Sequence, residues 1–225
     1  MQCYIRPMSE QEVIDTTIAY VKHELQNAEG GHDWFHIERV WRNSIAIAKH
    51  EEVNMLVVQL GALLHDIADS KFNGGDEEIG PQKASAFLRS INVDEDTIAH
   101  VIAIIRNISF KGGNFNAAFK SKELDVVQDA DRLDALGAIG IARAFNYGGY
   151  KGRELYNPAV PPNLNMSKEE YKHSTAPTLN HFYEKLLLLK DLMNTPTGKR
   201  LAQAKHIFMQ QYLTQFYAEW NGLES

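Results

Sequence analysis

The 225-residue chain holds a single cysteine, Cys3, so no disulfide can form within it, and a reducing compartment suits it. Proline and glycine are sparse, at 7 and 15 residues, which leaves room for long uninterrupted elements. No apolar run is long enough to span a bilayer. The most apolar stretch, Met55 to Ala68, is broken by Gln59, His65 and Asp66. The first residues, MQCYIRPMSEQEV, lack the basic start and apolar run of a signal peptide. Basic excess is also missing: the net charge is −6, which argues against a broad nucleic-acid-binding surface. These absences predict a cytoplasmic protein with neither membrane nor nucleic acid among its partners. Hydrophobic residues at 44% and charged residues at 23% are globular values and exclude disorder over most of the chain.

What is present is helical periodicity almost throughout. Ser9 and Glu12 form a capping-box pattern that opens a helix reaching about Ala28. Ile37, Val40, Trp41, Ile45 and Ala48 mark one face of a helix from Asp33 to His50. Asn54 can cap the next, in which Leu56, Val57, Leu60, Leu63, Leu64 and Ile67 recur at helical spacing. Pro81 suits the first turn of a fourth helix, and Asp94 starts a fifth. The spacing then predicts one long helix from Glu123 to about Phe145. A glycine- and proline-rich excursion follows, from Asn146 to Pro177, and two last helices run over about 178–193 and 197–220. No alternating strand pattern and no repeat is found. The expectation is a single all-α domain over 1–225.

Three segments carry chemistry. His65-Asp66 ends an otherwise apolar helix. The dipeptide alone says little, since a chain of this composition yields about half such a pair by chance, and His32-Asp33 is a second one. Its context says more: a charged Asp closing an apolar helix must find a partner or stay near water. Asp69 lies i+4 from His65 and i+3 from Asp66, sharing that end of the helix. In the segment GHDWFHIERV, His36 borders the apolar stripe headed by Ile37, and Arg39 lies one turn on. In Asp129-Ala130-Asp131-Arg132-Leu133-Asp134, Asp131 and Asp134 bring like charges together on a helix. A bound cation would relieve that repulsion; so would a nearby base such as Arg132 or Lys122.

The ordered set His36, His65-Asp66 and Asp131 resembles the HD-domain superfamily of metal-dependent phosphohydrolases. The surrounding segments HIERV, ALLHDIADSKF and VVQDADRLDALGAIG resemble it as well, most closely the small stand-alone bacterial members of the YpgQ/YedJ-like type. The likeness covers about residues 20–160. It implies an HD-domain helical bundle, here with additional C-terminal helices over about 178–221. It also implies that His36, His65, Asp66 and Asp131 bind one divalent metal. Two imidazoles with two carboxylates suit Mn2+, which we favour, or Fe2+, Co2+, Ni2+ or Zn2+, with Mg2+ available in the cell. Downstream of the pair, the helix after Asp94 offers only His100, so a single-metal site is expected.

The implied activity is hydrolysis of a phosphate or phosphoanhydride bond of a nucleotide by metal-activated water. Alternatives are a cyclic-nucleotide or alarmone phosphodiesterase, or a non-catalytic HD-fold nucleotide sensor. Asp69 stands where several relatives carry an acidic residue and is the candidate catalytic acid or base. Arg39 and Lys71 resemble family phosphate contacts. Further on, Tyr147, Tyr150, Lys151 and Arg153 combine aromatic faces with positive charge, the two things a nucleotide needs. The tyrosines can equally pack against the core. The four consecutive leucines at 186–189 and the repeat Phe208, Tyr212, Phe216, Trp220 read as core first and as a homodimer face second.

Overall fold

The computed structural model describes residues 6–26, 33–68, 76–108, 119–167, 170 and 173–222. Among the described residues the chain is helical and has no strand, the all-α class expected. It divides into two compact units, Met1–Ala130 and Asp131–Ser225, and the division falls inside one helix.

The first unit holds α1 (Glu10–Glu24), α2 (Trp34–Ala48), α3 (Met55–Leu64), α4 (Ile79–Ser90), α5 (Glu95–Asn107) and most of α6 (Lys122–Asp134). Local chemistry sets most of the starts. The Ser9 side chain accepts from the Glu12 N–H while the Glu12 carboxylate accepts from the Ser9 N–H, a complete capping box. Asp33, Asn54 and Asp94 cap α2, α3 and α5 through their side-chain oxygens. Helix α3 is the axis of this unit: it packs against α1, α2 and α5, and α4 leans on α5. Val57, Val58, Leu60, Ala62, Leu63 and Leu64 of α3 are almost wholly buried. A helix enclosed on several sides must be apolar nearly all round. Its end is therefore where a polar pair stands out.

The second unit holds the last turn of α6, then α7 (Gly137–Tyr150), α8 (Asn180–Glu184), a 3-10 helix (Leu186–Leu192) and α9 (Pro196–Trp220). Here the structure departs from the sequence reading three times. The single helix expected over 123–145 is two helices, broken at Ala135-Leu136. Leu136 is extended, and Gly137 takes φ +70°, a left-handed conformation that a side chain disfavours. Gly140 then sits so close to the reversal that a Cβ there would lie 2.2 Å from the Ala135 carbonyl oxygen. The helix expected over 178–193 is a short α-helix followed by 3-10 structure. A repeat of three residues per turn puts the buried Leu186 and Leu189 on one side, while Leu188 is exposed. The Phe208 to Trp220 repeat is not core throughout, since Phe208 and Trp220 are each about half exposed. Met209 and Leu213 fill the core instead.

Candidate metal centre

His36 enters the site from the first turn of α2. Its backbone N–H donates to the Asp33 cap at 3.0 Å, and the ring, 2% exposed, turns inward beside Ile37. His65 and Asp66 follow directly on α3, where the chain leaves the helix in a turn. The His65 ring is buried, and its Nδ1 lies 2.8 Å from the Ala62 carbonyl oxygen. A carbonyl only accepts, so Nδ1 carries the proton, and in the neutral ring Nε2 presents its lone pair to the site.

The donor atoms converge. Asp66 Oδ2 lies 3.8 Å from His36 Nε2 and 3.9 Å from His65 Nε2. The two imidazoles meet edge to face, with centroids 5.4 Å apart. His36, His65 and Asp131 each offer a ligand atom, all within 4.8 Å of one another, a grouping that could hold a metal ion. Donors at about 2.1 Å from one ion can stand no more than about 4.2 Å apart. Both Asp66 distances already meet that limit, and the wider grouping needs only a small inward movement. The donor set is mixed nitrogen and oxygen, as a divalent transition ion prefers.

The other predicted residues fall into three groups. Arg39 is on α2, one turn beyond His36, and half-buried. Asp69 and Lys71 lie outside the described residues. Tyr147, Tyr150, Lys151 and Arg153 come together at the end of α7 in the second unit. The Lys151 ammonium lies 5.7 Å and 5.3 Å from the Tyr147 and Tyr150 ring centroids, and the Arg153 guanidinium 5.7 Å from Tyr147. Both rings are at least half exposed. Tyr147 and Tyr150 are helical rather than part of a loop. The helix closes just beyond them, with Gly152 N–H returning to Gly149 and Arg153 N–H to Gly148. Arg153 also donates to the Ser174 carbonyl at 2.5 Å.

The like-charged pair on α6 resolves in a way the sequence reading did not reach. Asp131 joins the histidines. Asp134, 1% exposed, is met by Arg143 of α7, whose Nη1 lies 2.5 Å from its carboxylate. Of the bases proposed from sequence, Arg132 also donates to the Leu192 carbonyl, and Lys122 donates to Glu52. Arg143 lies nine residues from Asp134, a spacing with no meaning on one continuous helix; only the turn at Leu136-Gly137 makes them neighbours. His100 is outside the grouping and lies 2.9 Å from Ser121 Oγ.

Comparison with known proteins gives a consistent picture. The family model described as HD domain matches residues 34–136. The Bacillus subtilis protein YpgQ is 34% identical over 219 residues, covering 97% of this chain and 98% of YpgQ. An HD-superfamily hydrolase from Bacillus thuringiensis has a crystal structure that is similar with a TM-score of 0.77. It is 46% identical and covers 95% of this chain and 99% of that one. A crystal structure of YpgQ in complex with ADP is similar with a TM-score of 0.75, covering 94% of this chain and 97% of that one.

Proposed function

Because the chain belongs to the HD superfamily, we propose that it is a metal-dependent phosphohydrolase acting on a nucleotide. The observation that carries the proposal is the grouping of His36, His65 and Asp131 donor atoms within 4.8 Å of one another, with Asp66 3.8 Å and 3.9 Å from the two imidazoles. Where these four residues hold a divalent cation, Mn2+ by preference, that ion supplies Lewis-acid chemistry, acidifying a water molecule and polarising a phosphoryl oxygen. The residues of the chain do the rest. His65 is held in one tautomer by Ala62, so its Nε2 needs no reorientation to act as a donor. Burial of both imidazoles keeps solvent from competing for their nitrogens. Asp69, three residues beyond Asp66, takes up or delivers the proton during hydrolysis. Arg39, one turn from His36, and Lys71 hold the phosphate oxygens through charge-assisted hydrogen bonds.

The nucleotide part of the reading rests on two supports. YpgQ, a relative over nearly the whole chain, was crystallised with ADP. In this chain the exposed Tyr147 and Tyr150 faces, with Lys151 and Arg153 beside them, have the chemistry to take a base and a phosphate.

The test is hydrolysis across a panel of nucleoside mono-, di- and triphosphates, cyclic nucleotides and a simple aryl phosphate. Each is assayed with Mn2+ and after chelation, alongside elemental analysis of the wild type and His65→Ala. The expected result is Mn2+-dependent hydrolysis of a nucleotide, with His65→Ala losing both metal and activity. An inactive His65→Ala that keeps full metal occupancy would overturn the ligand assignment. Nucleotide binding with no turnover on any substrate would make the protein a sensor instead of an enzyme.

A further inference from the structure

The end of α6 is fastened more heavily than a helix end requires. Arg143 Nη1 reaches two oxygens of Asp134, the carboxylate Oδ2 at 2.5 Å and the backbone carbonyl at 3.4 Å. Lys205 of α9 points its ammonium at the Leu136 carbonyl at 3.4 Å. Arg132 donates to the Leu192 carbonyl at the end of the 3-10 helix. Three basic side chains thus fix the last turn of α6 and the corner after it, and Asp131 is the residue immediately before Arg132.

The Asp134 carboxylate is costly where it stands. It is buried, and it sits at the C-terminal end of a helix, where the backbone dipole already presents negative charge. Its neighbour one turn back, Asp131, carries the same charge. An apolar residue paired with an apolar partner in place of Arg143 would serve stability as well or better. What an ion pair adds is direction: a guanidinium bonded to a carboxylate and a carbonyl of one residue admits little rotation of the helix end.

Building on the metal-centre reading, we propose that Arg143 is a positioning residue for that centre: by gripping Asp134 twice, it sets the direction in which Asp131 presents its carboxylate. Asp131 is the one ligand candidate that α6 supplies, so rotation of that last turn moves an oxygen donor relative to the imidazoles. Groups hydrogen-bonded directly to a metal ligand typically change metal affinity about 10–100-fold when replaced, and Arg143, acting through the helix end, is expected at the lower end.

The experiment measures Mn2+ affinity of the metal-free full-length protein by competition with a chromophoric chelator. Wild type, Arg143→Lys, the double variant Asp134→Asn/Arg143→Gln and His65→Ala are compared. Thermal unfolding of each metal-free protein is recorded in parallel. Arg143→Lys keeps the charge but replaces the planar guanidinium with a shorter, freely rotating ammonium, and the double variant leaves no unpaired buried charge. The expected result is one Mn2+ per wild-type chain, none for His65→Ala, and affinity lowered about tenfold in both Arg143 variants with folded spectra retained. Wild-type Mn2+ affinity in the folded variants, even with lowered melting temperatures, would make Arg143 a stability residue only and overturn the proposal. Absence of Mn2+ binding by the wild type would instead remove the metal-centre reading, and the proposal with it.

Discussion

Replacing Gly140 with alanine tests whether the α6–α7 corner is as tight as it looks. Gly140 lies inside α7, where alanine is ordinarily the better residue by about 0.8–1.0 kcal/mol. Here a Cβ would stand 2.2 Å from the Ala135 carbonyl oxygen and 2.4 Å from its carbon, both backbone atoms of the reversal. Ordinary contact between carbons is about 3.5–4.0 Å, so one of two bonded segments must move by about 1 Å. Overpacking costs roughly 1–3 kcal/mol, and the upper end applies because no flexible side chain can give way. The net expectation is destabilisation by about 2 kcal/mol, or roughly 4–8 °C in melting temperature for a chain of this size. Gly149 is the internal control. It occupies the same helix with nothing within 4 Å of an added Cβ, so Gly149→Ala is expected to stabilise by about 0.5 kcal/mol. Urea denaturation followed by far-UV circular dichroism, with m-values compared, measures both. A Gly140→Ala protein as stable as the wild type, or more so, would refute the steric argument.

Other expectations follow from the site and its surroundings. Asp69→Asn should keep the metal and lower turnover by about 10²–10⁴-fold, read by steady-state kinetics with metal analysis of the same sample; unchanged turnover would reduce Asp69 to a helix-end residue. Tyr147→Ala or Tyr150→Ala should narrow the advantage of nucleotides over an aryl phosphate in kcat/KM by about tenfold, since one stacking contact is worth roughly 1–3 kcal/mol. The His181 imidazole is pushed down to about 3, first by burial and then by the nearby Lys185 and Arg153 charges. The folded state thus resists a proton that the unfolded chain accepts near pH 6.5. Stability attributable to this group is complete above that value, falls as the pH drops below it, and is fully lost near pH 3. Between pH 7 and 5 the loss should be about 2 kcal/mol, and His181→Asn should remove that share of the pH dependence. Equal pH slopes for the two proteins would contradict the assignment.

Much of the fold was legible because its determinants are local. The capping box at Ser9, the helix starts at Asn54 and Asp94, and the apolar stripes of α2, α3 and α5 depend on residues within a turn or two of one another. They therefore leave a mark at fixed spacing. The same holds for His65-Asp66, whose prominence comes from standing at the end of a helix that is apolar all round. Where the sequence reading failed, two local signals pointed the same way and a third dimension chose between them. From Glu123 to Phe145 the periodicity continues across Gly137, yet the chain turns there, because Gly137 can take a positive φ and Gly140 can lie against the Ala135 carbonyl. The leucines at 186–189 suited an α-helix, but burial of Leu186 and Leu189 selects a three-residue repeat.

The sequence by itself determined the residue types of the site and the helices that carry them, since both follow from short-range spacing and side-chain chemistry. The resemblance to HD domains singled out Asp131 among the acids of α6; only the tertiary structure decided what meets Asp134. By spacing and charge alone Asp131 and Asp134 are alike, both acidic and one turn apart. They become different because the chain reverses at Leu136-Gly137 and brings Arg143 onto Asp134, while Asp131 stays grouped with His36 and His65. Pairing between residues nine apart across a reversal, or 66 and 95 apart between helices, depends on how whole elements pack, and no local pattern encodes it.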